Sequence, residues 1–326
     1  MTLDQLRKLY RDEADCLQYF ESVIWANGRI CPHCGHRKSY PLRGKASRVG
    51  TYECARCKKQ FRVTTKTPMH STKLPFWTWL QGMYYLINSS KGVSSVVLGR
   101  WLGISQPAAW KMGHAIREMM APTGQLHGIV ELDEKYVGGK PRPHDGKQRK
   151  RGRGTDKQGV LIAVERRGSV RSAPVENDSI AVLKPVVTAF VSTDAHLMTD
   201  EHHSYKSIAK SYRGHGHVSH RHGEYARGEV HNNTAESFGA TLERAKQGVF
   251  HYLSKRHLYR YLNEIGFRWD HREPKKHVTR KGETKVIMVA LPIPKMLSAL
   301  LSRCVGKQLR WARNRGIRSL TPCAAS

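Results

Sequence analysis

Two groups of residues in this chain have types and spacings that do chemistry. The first is the pair of motifs Cys31-Pro-His-Cys34 and Cys54-Ala-Arg-Cys57, separated by 19 residues rich in Gly, Arg and Lys. A CxxC knuckle turns two thiolates to one side, and two knuckles at this distance form a zinc ribbon, with Zn²⁺ held tetrahedrally by four sulfurs. Protein fills all four positions, so the expected zinc is structural and has no open coordination site. His33 and His36, beside the first knuckle, read as surface residues.

The second group is Glu131-Leu-Asp133-Glu134, inside the stretch HGIVELDEKYVGG, which reads as a strand. Alternation along a strand puts Glu131 and Asp133 on one face, and Val130, Leu132 and Glu134 on the other. Spacing alone leaves open whether Glu131 or Asp133 is the functional acid. Asp200 closes a short apolar segment, HLMTD, with Asp194 as its nearby rival. Glu236 lies on a helical segment that begins after Asn232 or Asn233. Two aspartates at strand ends and an acid on a following helix can hold two Mg²⁺ ions about 4 Å apart. Such a pair clamps the attacking and leaving oxygens of an in-line phosphoryl transfer.

The background charge agrees with a phosphate substrate. Fifty-six Lys and Arg against 26 Asp and Glu give a formal net charge of +30 over 326 residues. A polyanion is the expected partner, with nucleic acid the first candidate. The hydrophobic fraction of 39% is ample for a buried core. The N-terminal segment lacks the apolar core of a signal peptide. The most apolar later run, Val286 to Leu301, is broken by Pro292, Pro294 and Lys295 and does not read as a membrane span. Seven cysteines, four of them in close pairs, fit metal binding in a reducing cytoplasm better than a disulfide framework. Cys16, Cys304 and Cys323 receive no role.

The elements that must position these groups follow in order. Residues 1–28 read as helical, with Leu3, Leu6, Tyr10, Leu17 and Phe20 on one stripe, and the ribbon occupies 29–66. Residues 73–121 start with an aromatic-rich helix. They continue as two short helices around the turn Gly103-Ile104-Ser105, the first starting at Ser94 or Ser95, which reads as a helix-turn-helix. Residues 125–275 read as a mixed α/β domain: a hairpin around Gly168, a helix with Asp178 as N-cap, a short strand in HGHVSH, and two further helices. Between its first strands lies Lys140 to Lys157, with Lys147, Arg149, Lys150, Arg151 and Arg153, expected to cross a phosphate backbone. Residues 276–326 read as a basic, partly helical extension.

The segments CPHCG…YECARCKKQFRVTT, KLPFWTWL, DEKYVGGK, TDEHHSY, HNNTAES and GVFHYLSKRHLYRYLNEIGFR occur in this order. Together they resemble bacterial insertion-sequence transposases of the zinc-ribbon, DDE class (ISXO-like), over residues 10–275. The resemblance implies an α/β fold: a ribonuclease H-like catalytic domain preceded by a small zinc ribbon and a helical helix-turn-helix region. It places the first catalytic aspartate before Glu-x-Tyr-x-Gly-Gly, at Asp133, with Asp200 and Glu236 completing the metal site. Glu131 then supports the site and Glu134 is structural. Some relatives read Asn or His near the third position. Asn233 is one helical turn from Glu236, which is preferred because an anionic oxygen suits Mg²⁺ better than an amide. His231 is expected to touch the scissile phosphate or brace its loop. Relatives commonly carry a Lys seven residues after the acid, where this chain has Glu243. Arg244 and Lys246 are the cations expected to carry that DNA contact.

The resulting expectation is a DNA transposase. It would bind terminal inverted repeats, free a 3′-hydroxyl at each end and join it to target DNA. It would use a structural Zn²⁺ and two Mg²⁺ or Mn²⁺ ions, and act as a homodimer or higher oligomer on double-stranded DNA. No membrane association is expected, and the location would be cytoplasmic and nucleoid-associated. The alternatives are a non-catalytic DNA-binding regulator or degenerate copy, and a structure-selective nuclease on the same fold.

Overall fold

The computed structural model describes residues 1–44, 47–138, 157–201, 203–218, 226–227, 230–279, 282–312 and 316–319. Lys147, Arg149, Lys150, Arg151, Arg153 and Cys323 lie outside the described residues. Met1–Ala121 with Val289–Ser326 form one compact unit, and Pro122–Met288 form another.

In the first unit the helical start is two helices, α1 (Leu3–Leu9) and α2 (Glu13–Ile24). Thr2 and Gln5 cap α1 reciprocally, and Asp12 opens α2 by accepting the Asp15 N–H at 2.8 Å. Strands β1 (Ser39–Pro41), β2 (Tyr52–Cys54) and β3 (Gln60–Phe61) form an antiparallel sheet in that order. Phe61, Tyr52 and Trp25 pack against Cys31, Cys54 and Cys57, giving the small ribbon an apolar base.

Helix α3 (Phe76–Asn88) starts after Pro75, which offers no side-chain cap. The Glu13 carboxylate supplies it from α2, accepting the Phe76 N–H at 2.6 Å and the Trp77 N–H at 3.2 Å. Helices α4 (Ser95–Leu102) and α5 (Gln106–Met119) meet at Gly103, whose φ of 64° makes the left-handed cap. Gly99 allows their close approach, since a Cβ there would sit 3.0 Å from the Ile104 carbonyl oxygen. Helix α5 is buried from Met112 to Met119, while Gln106, Pro107 and Lys111 in its first turns are exposed.

The second unit is built on a five-stranded sheet. Its strands are β4 (Ile129–Val137), β5 (Gln158–Glu165), β6 (Val170–Val175), β7 (His196–Thr199) and β8 (Gly214–His217). Their order is β6-β5-β4-β7-β8, antiparallel across the first three and parallel across the last three. The hairpin β5–β6 turns at Arg167-Gly168 as expected. Helices α6 (Ile180–Phe190) and α7 (His203–Ile208) cover one face through Leu183, Val187, Tyr205 and Ile208. Two short strands, β9 (Ala226–Arg227) and β10 (Val230–His231), precede helix α8 (Asn233–Ala245). With α9 (Leu258–Asp270), α8 covers the other face through Ala235, Phe238, Leu242, Leu258 and Ile265. The result is the three-layer ribonuclease H-like arrangement, with helices on both sides of a mixed sheet.

One expected cap is corrected. Ser179, and not Asp178, is the N-cap of α6. The Asn177 side chain accepts the Ser179 N–H at 3.0 Å in a turn that carries the chain one residue further before the helix starts.

After strands β11 (Arg272–Val278) and β12 (Thr284–Ala290), which pair as a two-stranded sheet, comes α10 (Ile293–Ser302). It belongs to the core of the first unit. Ile293, Met296, Leu297, Leu300 and Leu301 are buried, and Ser298 shares a hydrogen bond of 3.2 Å with Tyr19. Burial of side chains of this size stabilises by roughly 1.5–3 kcal/mol each. A final hairpin joins β13 (Leu309–Ala312) to β14 (Gly316–Ser319). Among the described residues no helix is long and apolar enough to cross a membrane.

Candidate active site and zinc centre

The four cysteine sulfurs converge. All lie within 4.8 Å of one another, with Cys31 to Cys57 at 3.8 Å and Cys34 to Cys54 at 3.6 Å. A Zn–S bond of about 2.3 Å in a regular tetrahedron gives sulfur separations of about 3.8 Å, so the cage has the size of a Cys₄ zinc site. The backbone N–H groups of Cys57 and Arg56 point at the Cys54 sulfur and bring its thiol down to about 6 against the cost of burial, favouring the thiolate a metal needs.

The acidic site is positioned by β4, the centre of the sheet. Its parallel register with β7 pairs Glu131 with Met198. Asp133 lies two residues beyond Glu131 on the same face of β4, and Asp200 is the first residue after β7. Asp133 Oδ1 accepts the Glu134 N–H at 2.8 Å. Its Oδ2 is buried and accepts no hydrogen bond among the described residues. Burial first, then the charges of Asp200 and Glu236, push the Asp133 carboxyl up to about 6, against the opposing pull of Lys135 and the Glu134 N–H. Glu236 is exposed in the first turn of α8. Asp133, Asp200 and Glu236 are thus near enough for their charges to couple. They are more open than the cysteine cage, which among the described residues is the only group of three or more metal-binding side chains within 4.8 Å.

Glu131 holds α8 on β4. Its carboxylate is fully buried and accepts from the N–H of Thr234 at 2.7 Å, the N–H of Ala235 at 3.1 Å, Thr234 Oγ1 at 3.0 Å and Arg166 Nε at 2.7 Å. An anion at these first N–H groups satisfies donors that the helix cannot, and it sits at the positive end of the helix dipole. His231 Nδ1 lies 3.3 Å from the same carboxylate. Arg166 also donates to the His231 carbonyl at 3.0 Å, and Asn232 Nδ2 donates to the Leu132 carbonyl at 2.7 Å. Glu131 therefore reaches the helix that carries Glu236 and fixes where it starts. Asn233 is exposed beside it.

Removing this clamp should be costly. Glu131→Ala leaves the nearly buried Arg166 guanidinium without its carboxylate, and loss of one partner of a buried pair costs about 3–5 kcal/mol. Urea unfolding of Glu131→Ala is expected to show a loss of that size, and Glu131→Gln, which keeps an acceptor, a smaller one.

On the other face of β4, Glu134 accepts from the Tyr205 hydroxyl at 2.6 Å, and burial followed by Glu134 raises that phenol well above its usual range. The bond ties α7 to the strand and frames the loop bearing Asp200. Asp194 is exposed and faces His127 Nδ1 at 3.4 Å. Spacing singled out neither Arg166, Thr234 nor Tyr205; a tyrosine five residues after Asp200, in the segment TDEHHSY, was the one visible signal. Arg244 and Lys246 sit at the end of α8 and just after it; Lys246 donates to Glu243 at 2.7 Å and Arg244 to Thr241 at 2.9 Å.

Comparison with known proteins extends this picture. An uncharacterized protein in transposable element ISH50 of Halobacterium salinarum is 27% identical over 275 residues, 80% of this chain and 92% of that relative. Among solved structures, the crystal structure of the Mos1 strand transfer complex is 12% identical, covering 59% of this chain and 76% of that one, with a TM-score of 0.22. The Mos1 transposase paired-end complex with left transposon end is 11% identical, with the same coverage and TM-score. A family model described as transposase zinc-ribbon domain matches residues 11–60, and one described as ISXO2-like transposase domain matches residues 125–270. These matches fall in turn on the Cys₄ cage and on the sheet bearing Asp133, and the chain carries a transposase zinc-ribbon domain followed by an ISXO2-like transposase domain.

Proposed function

We propose that this protein cuts DNA at the ends of its insertion sequence and joins the freed 3′-hydroxyls to target DNA. The observation that carries the reading is Asp133. It is a half-buried carboxylate on the central strand, with one buried oxygen free of hydrogen bonds among the described residues and two further acids coupled to its charge. An acid so placed fits a hard divalent cation, which prefers oxygen ligands. Asp133, Asp200 and Glu236 would hold two Mg²⁺ or Mn²⁺ ions, which when bound supply Lewis-acid stabilisation of charge at phosphorus.

The remaining roles belong to the chain. Glu131 and Arg166 set the start of α8 and so the place of Glu236, and Glu134 with Tyr205 holds the opposite side of the strand. The ribbon, with its Zn²⁺, and the helix pair α4–α5 serve end recognition. Gln106, Pro107 and Lys111, at the exposed start of α5, are the residues for the major groove, where a recognition helix contacts bases with its N-terminal turns. The formal charge of +30 supplies the attraction to the phosphate backbone. Two ends brought together require at least two copies on DNA, and the protein would act in the cytoplasm on the nucleoid.

The test is strand transfer, with purified protein, end duplexes of the element, a plasmid target and Mg²⁺ or Mn²⁺. Joined product that disappears in Asp133→Ala, Asp200→Ala and Glu236→Ala is the expected result. Cut but unjoined DNA would point to a nuclease, and end binding without cleavage to a non-catalytic regulator.

A further inference from the structure

A cavity of about 500 Å³ opens between the end of β4 and the outer half of α8. It is lined by four cations, Lys135, Lys157, Arg244 and Lys246, and by the single carboxylate of Glu243. That carboxylate is already engaged, because Lys246 Nζ at 2.7 Å and Gln247 Nε2 at 3.0 Å both donate to its Oε1. Partial burial pushes the Glu243 carboxyl upward, yet Lys246, Gln247 and Lys157 hold it below its usual range, which marks a positive field in the cavity. Arg244 is turned to Thr241. Among the described residues no carboxylate lies within 4.0 Å of the ammonium groups of Lys135 and Lys157.

Both lysines run along glycines. A Cβ at Gly239 would meet Lys135 Cε at 2.6 Å and Cγ at 3.1 Å, and a Cβ at Gly138 would meet Lys157 Cγ at 3.0 Å. The missing side chains leave room for each stem to lie against the backbone. Lys135 is two residues beyond Asp133 on β4 and so on the same face of the strand, and Gly239 is one turn beyond Glu236 on α8. The cavity therefore adjoins the acidic site on both elements.

We propose that this cavity is a phosphate subsite, in which Lys135 and Lys157 grip a backbone phosphodiester of the DNA strand next to the one being cut. The proposal rests on the transposase reading above and adds to it which cations hold the strand at the site. Glu243 ties up Lys246, so the grip passes to the strand and loop lysines on the opposite wall.

The test measures binding of a labelled end duplex to the full-length protein across a range of NaCl concentrations, together with strand transfer by the same preparations. Each lost phosphate contact lowers the slope of log K against log salt by about 1. Lys135→Ala and Lys157→Ala are each expected to lower the slope by that amount and to cut joining about tenfold. Gly239→Ala removes no charge and favours the helix, but displaces the Lys135 stem, so it should lower the slope as Lys135→Ala does. Lys184→Ala, on α6 against the other face of the sheet, is the charge control and should keep the wild-type slope. A wild-type slope in either lysine variant overturns the subsite, as does an equal loss in Lys184→Ala. Wild-type protein that joins no DNA, while the slopes fall as stated, would refute the transposase reading and leave the phosphate site standing.

Discussion

Replacing Asp133 with Asn should abolish DNA joining, with a loss on the order of 10³-fold or more, while leaving the second unit better folded than before. The first half rests on the proposed function, in which Asp133 is the half-buried acid that holds a divalent cation. Removing an anionic ligand forfeits several kcal/mol of charge stabilisation at phosphorus. The second half follows from its environment. Burial, Asp200 and Glu236 raise the Asp133 carboxyl to about 6 in the folded protein, against about 3.9 in an unfolded chain. Between these values the folded state holds a proton that the unfolded state has released, so stability falls as pH rises from about 4 to about 6 and stays low above that. Without added Mg²⁺ or Mn²⁺, Asp133→Asn should gain on the order of 2 kcal/mol over wild type at pH 7–8, and nothing at pH 4. Urea unfolding at the two pH values, alongside strand transfer, checks both halves. A variant that loses stability at neutral pH would show that the carboxylate is held by structural bonds rather than kept for a cation.

Cys54→Ser should empty the ribbon of zinc. The Cys54 sulfur is buried, lies 3.6 Å from Cys34 and receives the N–H groups that favour its thiolate, so a hydroxyl there cannot substitute. Zinc-linked folding of small domains is worth about 10 kcal/mol or more, and this ribbon has only three short strands and a few aromatic rings to hold it otherwise. The expected outcome is protein without bound zinc, with end binding lost and the second unit, Pro122–Met288, still folded. Metal analysis by mass spectrometry and circular dichroism of the variant test it. Stoichiometric zinc in Cys54→Ser would remove that cysteine from the site.

Local signals carried much of this protein. The two CxxC motifs predict their own cage, because a knuckle is a turn of four residues whose geometry needs little from elsewhere. Alternation along Ile129–Val137 separates Glu131 and Asp133 from Glu134, and the partners follow suit: Thr234 and Ala235 on one face, Tyr205 on the other. The turn at Gly103, the hairpin at Gly168 and the start of α8 at Asn232 are likewise written in residues whose backbone preferences act over one turn.

What spacing left open was decided by partners far along the chain. Glu131 and Asp133 are neighbours on the same face of one strand, and family resemblance, not spacing, separated their roles. Their difference in the structure arises because α8, about 100 residues later, lays its first N–H groups on Glu131, while Asp133 keeps an oxygen without a hydrogen bond among the described residues. The segment from Lys276 reads as a basic, partly helical extension, and its apolar residues recur at the helical spacing 293, 296, 297, 300 and 301. That spacing marks an amphipathic helix but does not name the surface that covers it. Its place against Tyr19, 279 residues away, was settled by packing in the folded protein. The same holds for the cavity beside α8. Lys135, Lys157 and Glu243 are ordinary surface residues in the sequence, and only the close approach of strand and helix at Gly239 makes them the walls of one site.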